Sequence, residues 1–325
     1  MNTRLITPAA MLTVAIMSAI MCVAACFILK PDPAASTDFG LVLPSPNLWD
    51  ISPLWSEIIN VAIIGLSAPA VFLINKHFSL LKSSLPFWAL FYLPLICCNI
   101  FVSGRFTAGI LLLPTVLAIL VALFNSYRSR NATRSIFFIA TCISIGSTVQ
   151  QAFLPLLPAS IIGTLIMKAL HGKEIMALLL GLVAPYWVLT GFGIITPSDF
   201  SMPVLSPLFT SGISPEMVAT ATGTGVLFAI GLFLSLYNGI KLYAGNSRIR
   251  GCNNVVNVFG ITATAAMIFD TANLTAYLGI FALWTGLQFA NLFTLWNLPR
   301  PTWVFWIIQG CILAYAAILS LTLIF

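Results

Sequence analysis

The octapeptide Tyr127-Arg128-Ser129-Arg130-Asn131-Ala132-Thr133-Arg134 decides how the whole chain is read. It places three of the fourteen Lys and Arg residues between two long apolar runs. Short loops rich in Lys and Arg stay on the cytoplasmic face of a membrane. Residues 127–134 therefore predict a basic cytoplasmic loop, and every other loop takes its side from it by alternation.

The composition supports that starting point. Of 325 residues, 60% are hydrophobic and 7% charged, with a mean hydropathy of +1.04, whereas soluble proteins carry about 25% charged residues. The lipid bilayer is the expected partner. The formal charge of +6 comes from basic residues that punctuate apolar runs. They form no basic patch with interleaved aromatics, which excludes a nucleic-acid partner. The seven cysteines are scattered and show no CxxC spacing. No disulfide framework, metal or other cofactor is expected.

Upstream of the octapeptide, apolar runs at 107–125, 85–102 and 58–75 predict three helices, with Lys76, His77 and Lys82 returning to the cytoplasmic side. The first run, 8–29, is longer than the 7–15 residues of a signal-peptide core, so it is expected to stay as an uncleaved helix. Its Val23-Ala24-Ala25-Cys26 also fits the small-residue pattern before a lipid-modified cysteine. Residues 31–56 carry Asp32, Asp38 and Asp50 and five prolines, the composition of an ordered extracytoplasmic loop.

Downstream, runs at 135–149 and 159–170 predict a short pair around Gln150-Gln151 and Pro155 to Pro158, ending inside at Lys168, His171 and Lys173. A helix at 175–195 opens onto a second extracytoplasmic loop, 196–216, with Asp199 and Glu216 and no basic residue. The runs 217–240, 255–269, 274–296 and 303 to the end follow. Lys241, Arg248, Arg250 and Arg300 fall inside and Asp270 outside. The expected fold is all-α: one integral-membrane domain over 1–325, a polytopic bundle of about eleven transmembrane helices of roughly 20 residues each. Its N-terminus lies inside and its C-terminus outside. Twelve of the fourteen Lys and Arg then lie inside, with only Lys30 and Arg105 outside.

Ionisable groups deep in hydrocarbon are costly and mark function, and this chain has almost none. Asp270 is the exception, interrupting a nearly continuous apolar run from 255 to 296. It reads either as a carboxylate lining an outer vestibule or as part of a turn, Asp270-Thr271-Ala272-Asn273, that its residue types favour. Gln288 and Asn291, three apart, share one helix face. They either line a polar route with Asp270 or bond to neighbouring helices.

The acidic loop with Asp32 and Asp38, followed by Ser103-Gly104-Arg105-Phe106-Thr107 at a later helix start, resembles the polyprenyl-phosphate-sugar transferases of GT-C type. That resemblance implies a catalytic carboxylate at Asp38 or Asp32, with Arg105 holding the phosphate of a lipid-linked sugar. The loop departs from the family in having no adjacent acidic pair and no Asp-x-Asp. A second likeness covers most of the chain. Leu73-Ile74-Asn75, Gly181-Leu182-Val183-Ala184-Pro185-Tyr186 and Asn246-Ser247-Arg248-Ile249-Arg250 are similar to an uncharacterised family of polytopic inner-membrane proteins of Bacteroidota-type bacteria. It implies a multi-pass protein of the bacterial inner (cytoplasmic) membrane without an assigned activity.

Three functions stay open. The adopted expectation is a non-catalytic component of a cell-envelope assembly with a membrane-protein partner. The alternatives are the outer-face transferase, with a polyprenyl-linked or other envelope lipid as partner, and a small-molecule or lipid transporter or flippase. Whether the chain is an enzyme is left undecided by its motifs.

Overall fold

The computed structural model describes residues 8–26, 40–81, 86–104, 106–129, 131–203, 206, 215–243, 246–296 and 301–324. Among them the secondary structure is helical throughout, with no β-strand. The helices are α1 (Pro8–Ala24), α2 (Pro53–Phe78), α3 (Phe87–Cys97), α4 (Ile100–Ser103), α5 (Ala108–Asn125) and α6 (Thr133–Val149). They continue with α7 (Leu156–Ile166), α8 (Gly172–Gly191), α9 (Pro215–Tyr243), α10 (Ser247–Phe269), α11 (Leu274–Leu295) and α12 (Pro301–Ile324).

Six of them, α2 and α8 to α12, are long and apolar enough to cross a membrane. The shortest has 20 residues, which at 1.5 Å per residue is about 30 Å, the thickness of a bilayer core. Their outward surfaces are apolar: Leu66, Trp187, Leu236, Ile240 and Trp303 are each more than 65% exposed. Such faces suit hydrocarbon, where side chains need no water and the helical backbone satisfies itself.

The bundle is built around α11. Nineteen of its 22 residues are buried, and α3, α5, α9 and α10 pack against it. A helix buried on every side, with its amides bonded inside the bundle, is the central one. Small residues set the approach of its neighbours. A Cβ on Gly260 of α10 would lie 2.3 Å from the Trp284 ring, and one on Gly109 of α5 would lie 2.7 Å from the Ala276 Cα. Lipid tails are as apolar as side chains, so close packing of this kind replaces the hydrophobic effect as the force holding membrane helices together. Beside this core, α6 and α8 form a tight pair in which the Ser144 hydroxyl donates to the Leu182 carbonyl at 2.6 Å.

Several boundaries differ from those read in the sequence. The helix expected at 85–102 is two pieces, α3 and α4, separated at Cys98 and Asn99, where Asn99 takes extended angles (φ −89°, ψ 102°). Pro94 lies one turn earlier and has no N–H for the Leu90 carbonyl. Gln309 Nε2 of α12 donates to that carbonyl instead, at 3.2 Å. The helix expected from 255 begins at Ser247, because Asn246 Oδ1 accepts the Arg248 N–H at 2.9 Å and caps it. Helix α2 starts at Pro53 rather than 58, α8 ends at Gly191 rather than 195, and α9 starts at Pro215 rather than 217.

The loops sort to two ends. At one, Tyr127 Oη bonds Ser247 Oγ at 2.9 Å, the Arg128 N–H donates to the Met167 carbonyl at 2.9 Å, and Arg248 lies over the Phe78 ring. All eight Lys and Arg residues among the described residues belong to these connections: Lys76, Arg128, Arg134, Lys168, Lys173, Lys241, Arg248 and Arg250. At the other end, Leu41 pairs with Ser147 and Ser201, Thr271 with Ser206, and Gln150 with Asn273. That end brings together the segments before α2 and after α8, the α6–α7 connection and the α10–α11 turn.

Candidate functional site

The site forms where α10 gives way to α11, at the end opposite the basic loops. The Asp270 N–H donates to the Ala266 carbonyl at 2.8 Å and closes α10, while the Asn273 N–H donates to the Asp270 carbonyl at 3.2 Å and opens a 3-10 turn over Thr271–Asn273. Asp and Asn favour such turns because their short side chains bond nearby backbone. Ser206 clamps the turn from the α8–α9 connection. Its carbonyl accepts from the Thr271 N–H at 2.9 Å and the Thr271 hydroxyl at 2.6 Å, and its hydroxyl accepts from the Ala272 N–H at 3.0 Å.

Asp270 is thereby held inside, at 4% exposure. Its Oδ2 accepts from Asn273 Nδ2 at 2.8 Å and from the Tyr277 hydroxyl at 3.1 Å. Gln150 Nε2 donates to Asn273 Oδ1 and ties the turn to the end of α6. Asp270 Oδ1 makes no hydrogen bond among the described residues. The residue lines a cleft of about 280 Å³ whose other walls include Leu154, Pro155, Pro158, Ala266 and Phe269. A buried carboxylate whose Oδ2 is hydrogen-bonded, and whose Oδ1 has no close hydrogen bond among the described residues, thus borders an apolar cleft.

The electrostatics follow from that setting. Burial pushes the Asp270 pKa above the usual carboxylate range. The Asn273 and Tyr277 side chains, the Asn273 N–H and the Ser206 hydroxyl favour the charged form and hold back only part of the rise. No Lys or Arg among the described residues lies at this end to neutralise it. Glu174, the other buried carboxylate among the described residues, differs in each respect. It sits in the first turn of α8, where the helix dipole favours negative charge, and has the Thr133 hydroxyl at 3.3 Å and His171 Nδ1 at 3.7 Å. Its charge has partners. Asp270 has only neutral donors, Asn273, Tyr277 and Ser206, among the described residues.

Gln288 and Asn291 lie elsewhere, deep between α9, α10 and α11. Gln288 Nε2 donates to Asn257 Oδ1 at 2.8 Å and Asn253 Oδ1 at 3.2 Å, and Asn291 Nδ2 donates to Asn253 Oδ1 at 3.0 Å. Asn238 Nδ2 donates to the Gln288 carbonyl at 2.9 Å. The indoles of Trp284 and Trp296 donate to Asn257 and Asn238, at 2.9 and 3.1 Å. This is a mutually bonded amide cluster stitching three helices together, and it is distinct from the Asp270 cleft. Asp32, Asp38 and Arg105 lie outside the described residues. Among the described residues no three His, Cys, Asp or Glu side chains gather as metal ligands.

Sequence reasoning singled out Asp270 and its turn with Asn273 but missed Tyr277 and Ser206, and it gave Gln150 no part in the site. Tyr277 stands seven residues on, two helical turns along α11, so its spacing was an available signal. Gln150 and Ser206 are distant in sequence and reach the site only through packing. Compared with known proteins, the chain matches no family model, no curated protein and no solved structure.

Proposed function

We propose that the chain is a multi-pass protein of the bacterial inner membrane, its basic end in the cytoplasm, serving as a non-catalytic component of the cell envelope. On this reading its working site is the Asp270 cleft on the outer side. The cleft binds a small amphiphile that offers a cationic or hydrogen-bond-donating group to Asp270 Oδ1 and an apolar body to the proline- and alanine-rich walls. The observation that supports it is the buried carboxylate, without a cationic partner among the described residues, bordering an apolar cleft. A buried charge left unpaired is costly, and a ligand that pairs it recovers that cost as affinity.

A transporter is the second reading, favoured by the break between α3 and α4 inside the bundle, since interrupted helices often mark transport pathways. The outer-face transferase of GT-C type stays an alternative that rests on its sequence resemblance alone.

The test is thermal stabilisation of the purified protein in a neutral detergent by a medium-chain alkylammonium, with the matching alkyl sulfate as control. Wild-type protein is expected to be stabilised by the ammonium only, and Asp270→Asn to lose that response while melting no lower than wild type at neutral pH. Equal responses to both amphiphiles, or an unchanged response in Asp270→Asn, would overturn the reading. Uptake of the ammonium into sealed proteoliposomes, abolished by Asp270→Asn, would favour the transporter.

A further inference from the structure

A second recess lies at the opposite, basic end. An open groove of about 630 Å³ runs beside the last turns of α2, walled by Leu73, Ile74 and Phe78 and, from α5, by Val121. Lys76 and His77 complete its lining. Leu73 precedes Lys76 by three residues and His77 by four, so apolar and basic side chains follow one another along one face of α2. Arg248, in the first turn of α10, brings its guanidinium carbon to 5.6 Å from the centre of the Phe78 ring.

Arg248 contacts the Phe78 ring, and neither it nor Lys76 has an ion-pair partner among the described residues. Lys76 and Arg248 are exposed, and the ion pair found among the described residues is the distant one between His171 and Glu174. Helix dipoles nearly cancel at this point. The carbonyl end of α2 disfavours an anion and the amino end of α10 favours one. Two whole positive charges therefore set the sign. An apolar wall with cations that have no ion-pair partner among the described residues, at the end of membrane helices, matches a molecule with an acyl chain and an anionic head.

We propose that this groove binds one anionic glycerophospholipid, its phosphate between Lys76 and Arg248 and an acyl chain against Leu73, Ile74, Phe78 and Val121. The site is independent of the Asp270 cleft. Binding tethers the end of α2 to the start of α10 through the shared headgroup, so the lipid should stabilise the fold.

The test compares melting temperatures of the full chain in neutral detergent with added phosphatidylglycerol or phosphatidylcholine of identical chains, alongside native mass spectrometry of retained lipid. Phosphatidylglycerol is expected to raise the melting temperature by several degrees and to be retained at one copy, and phosphatidylcholine to do neither. The double variant Lys76→Ala/Arg248→Ala should lose the response while melting like wild type in phosphatidylcholine. Arg134→Ala/Lys168→Ala, which removes two charges from the same end away from the groove, should keep it. Equal stabilisation by both lipids overturns the proposal. So does an equal loss in the two double variants, which would mark a diffuse field, and so does an equal rise with inorganic phosphate alone.

Discussion

At the scale of single residues, Asp270 shows how burial turns an ordinary turn former into a chemical group. Its pKa is raised in the folded protein because the loss of water outweighs its hydrogen-bonding neighbours. The native state then binds a proton more tightly than the unfolded chain, and stability falls as pH rises. The contribution is complete below the ordinary carboxylate pKa and is lost as pH climbs through the raised one. Melting temperatures measured across the acid range should therefore decline toward neutrality, and Asp270→Asn, which cannot ionise, should flatten that decline. Tyr277→Phe should move it to higher pH, because the hydroxyl that stabilises the charged form is gone. A decline of the same shape and position in all three proteins would place the titrating group elsewhere.

At the scale of elements, the informative case is the pairing of Pro94 with Gln309. A proline in a membrane helix leaves a carbonyl four residues back without its donor, and nothing in hydrocarbon can supply one. Here α12 supplies it, with Gln309 buried at 2% exposure and bonded to Leu90. Gln309→Leu should lower stability by about 1 kcal/mol, within the range measured for such bonds in membrane proteins and for unpaired buried carbonyls. In a Pro94→Ala background, where the substituted residue regains its backbone N–H, the same change should cost little. Additive losses in the double-mutant cycle would show that Pro94 and Gln309 are not coupled.

The same scale explains what was legible in the sequence. Apolar runs separated by charged or proline-rich stretches locate nearly every helix, because a helix in lipid must be long and apolar. The interruption at Asn99 was hidden, since Pro94 alone is compatible with an unbroken helix and the break depends on what α2 and α12 offer. Asn60 of α2, for instance, donates to the Val102 and Ser103 carbonyls that end α4, at 3.1 and 2.7 Å. Gln288 and Asn291 were legible as one polar face. Their partners Asn253, Asn257 and Asn238 stand on two other helices, and only folding brings the amides together. Asp270 was visible as a break in an apolar run, whereas its cleft is assembled from α7, α10 and both the turn and the loop that clamps it.

At the scale of the whole molecule, charge separates along the bundle. The eight described Lys and Arg gather at one end, while Asp50, Glu57, Asp199 and Asp270 lie in or beside connections at the other. Insertion of short loops follows Lys and Arg, which are retained on the cytoplasmic side. The basic end is accordingly expected to face the cytoplasm, which puts the Asp270 cleft outside and the Lys76–Arg248 groove inside. Cysteine labelling of intact cells tests this directly, with Ser129→Cys at the basic loop and Ser198→Cys beside Asp199 placed in a background whose seven cysteines are replaced. A membrane-impermeant maleimide should label Ser198→Cys in whole cells and Ser129→Cys only after permeabilisation. The reverse pattern would invert the protein, move the carboxylate cleft to the cytoplasm and remove the physical basis for an outer-face ligand. Labelling of both from outside would mean that an odd number of crossings does not separate the two positions, and the path of the chain between α6 and α8 would have to be redrawn around the short helix α7.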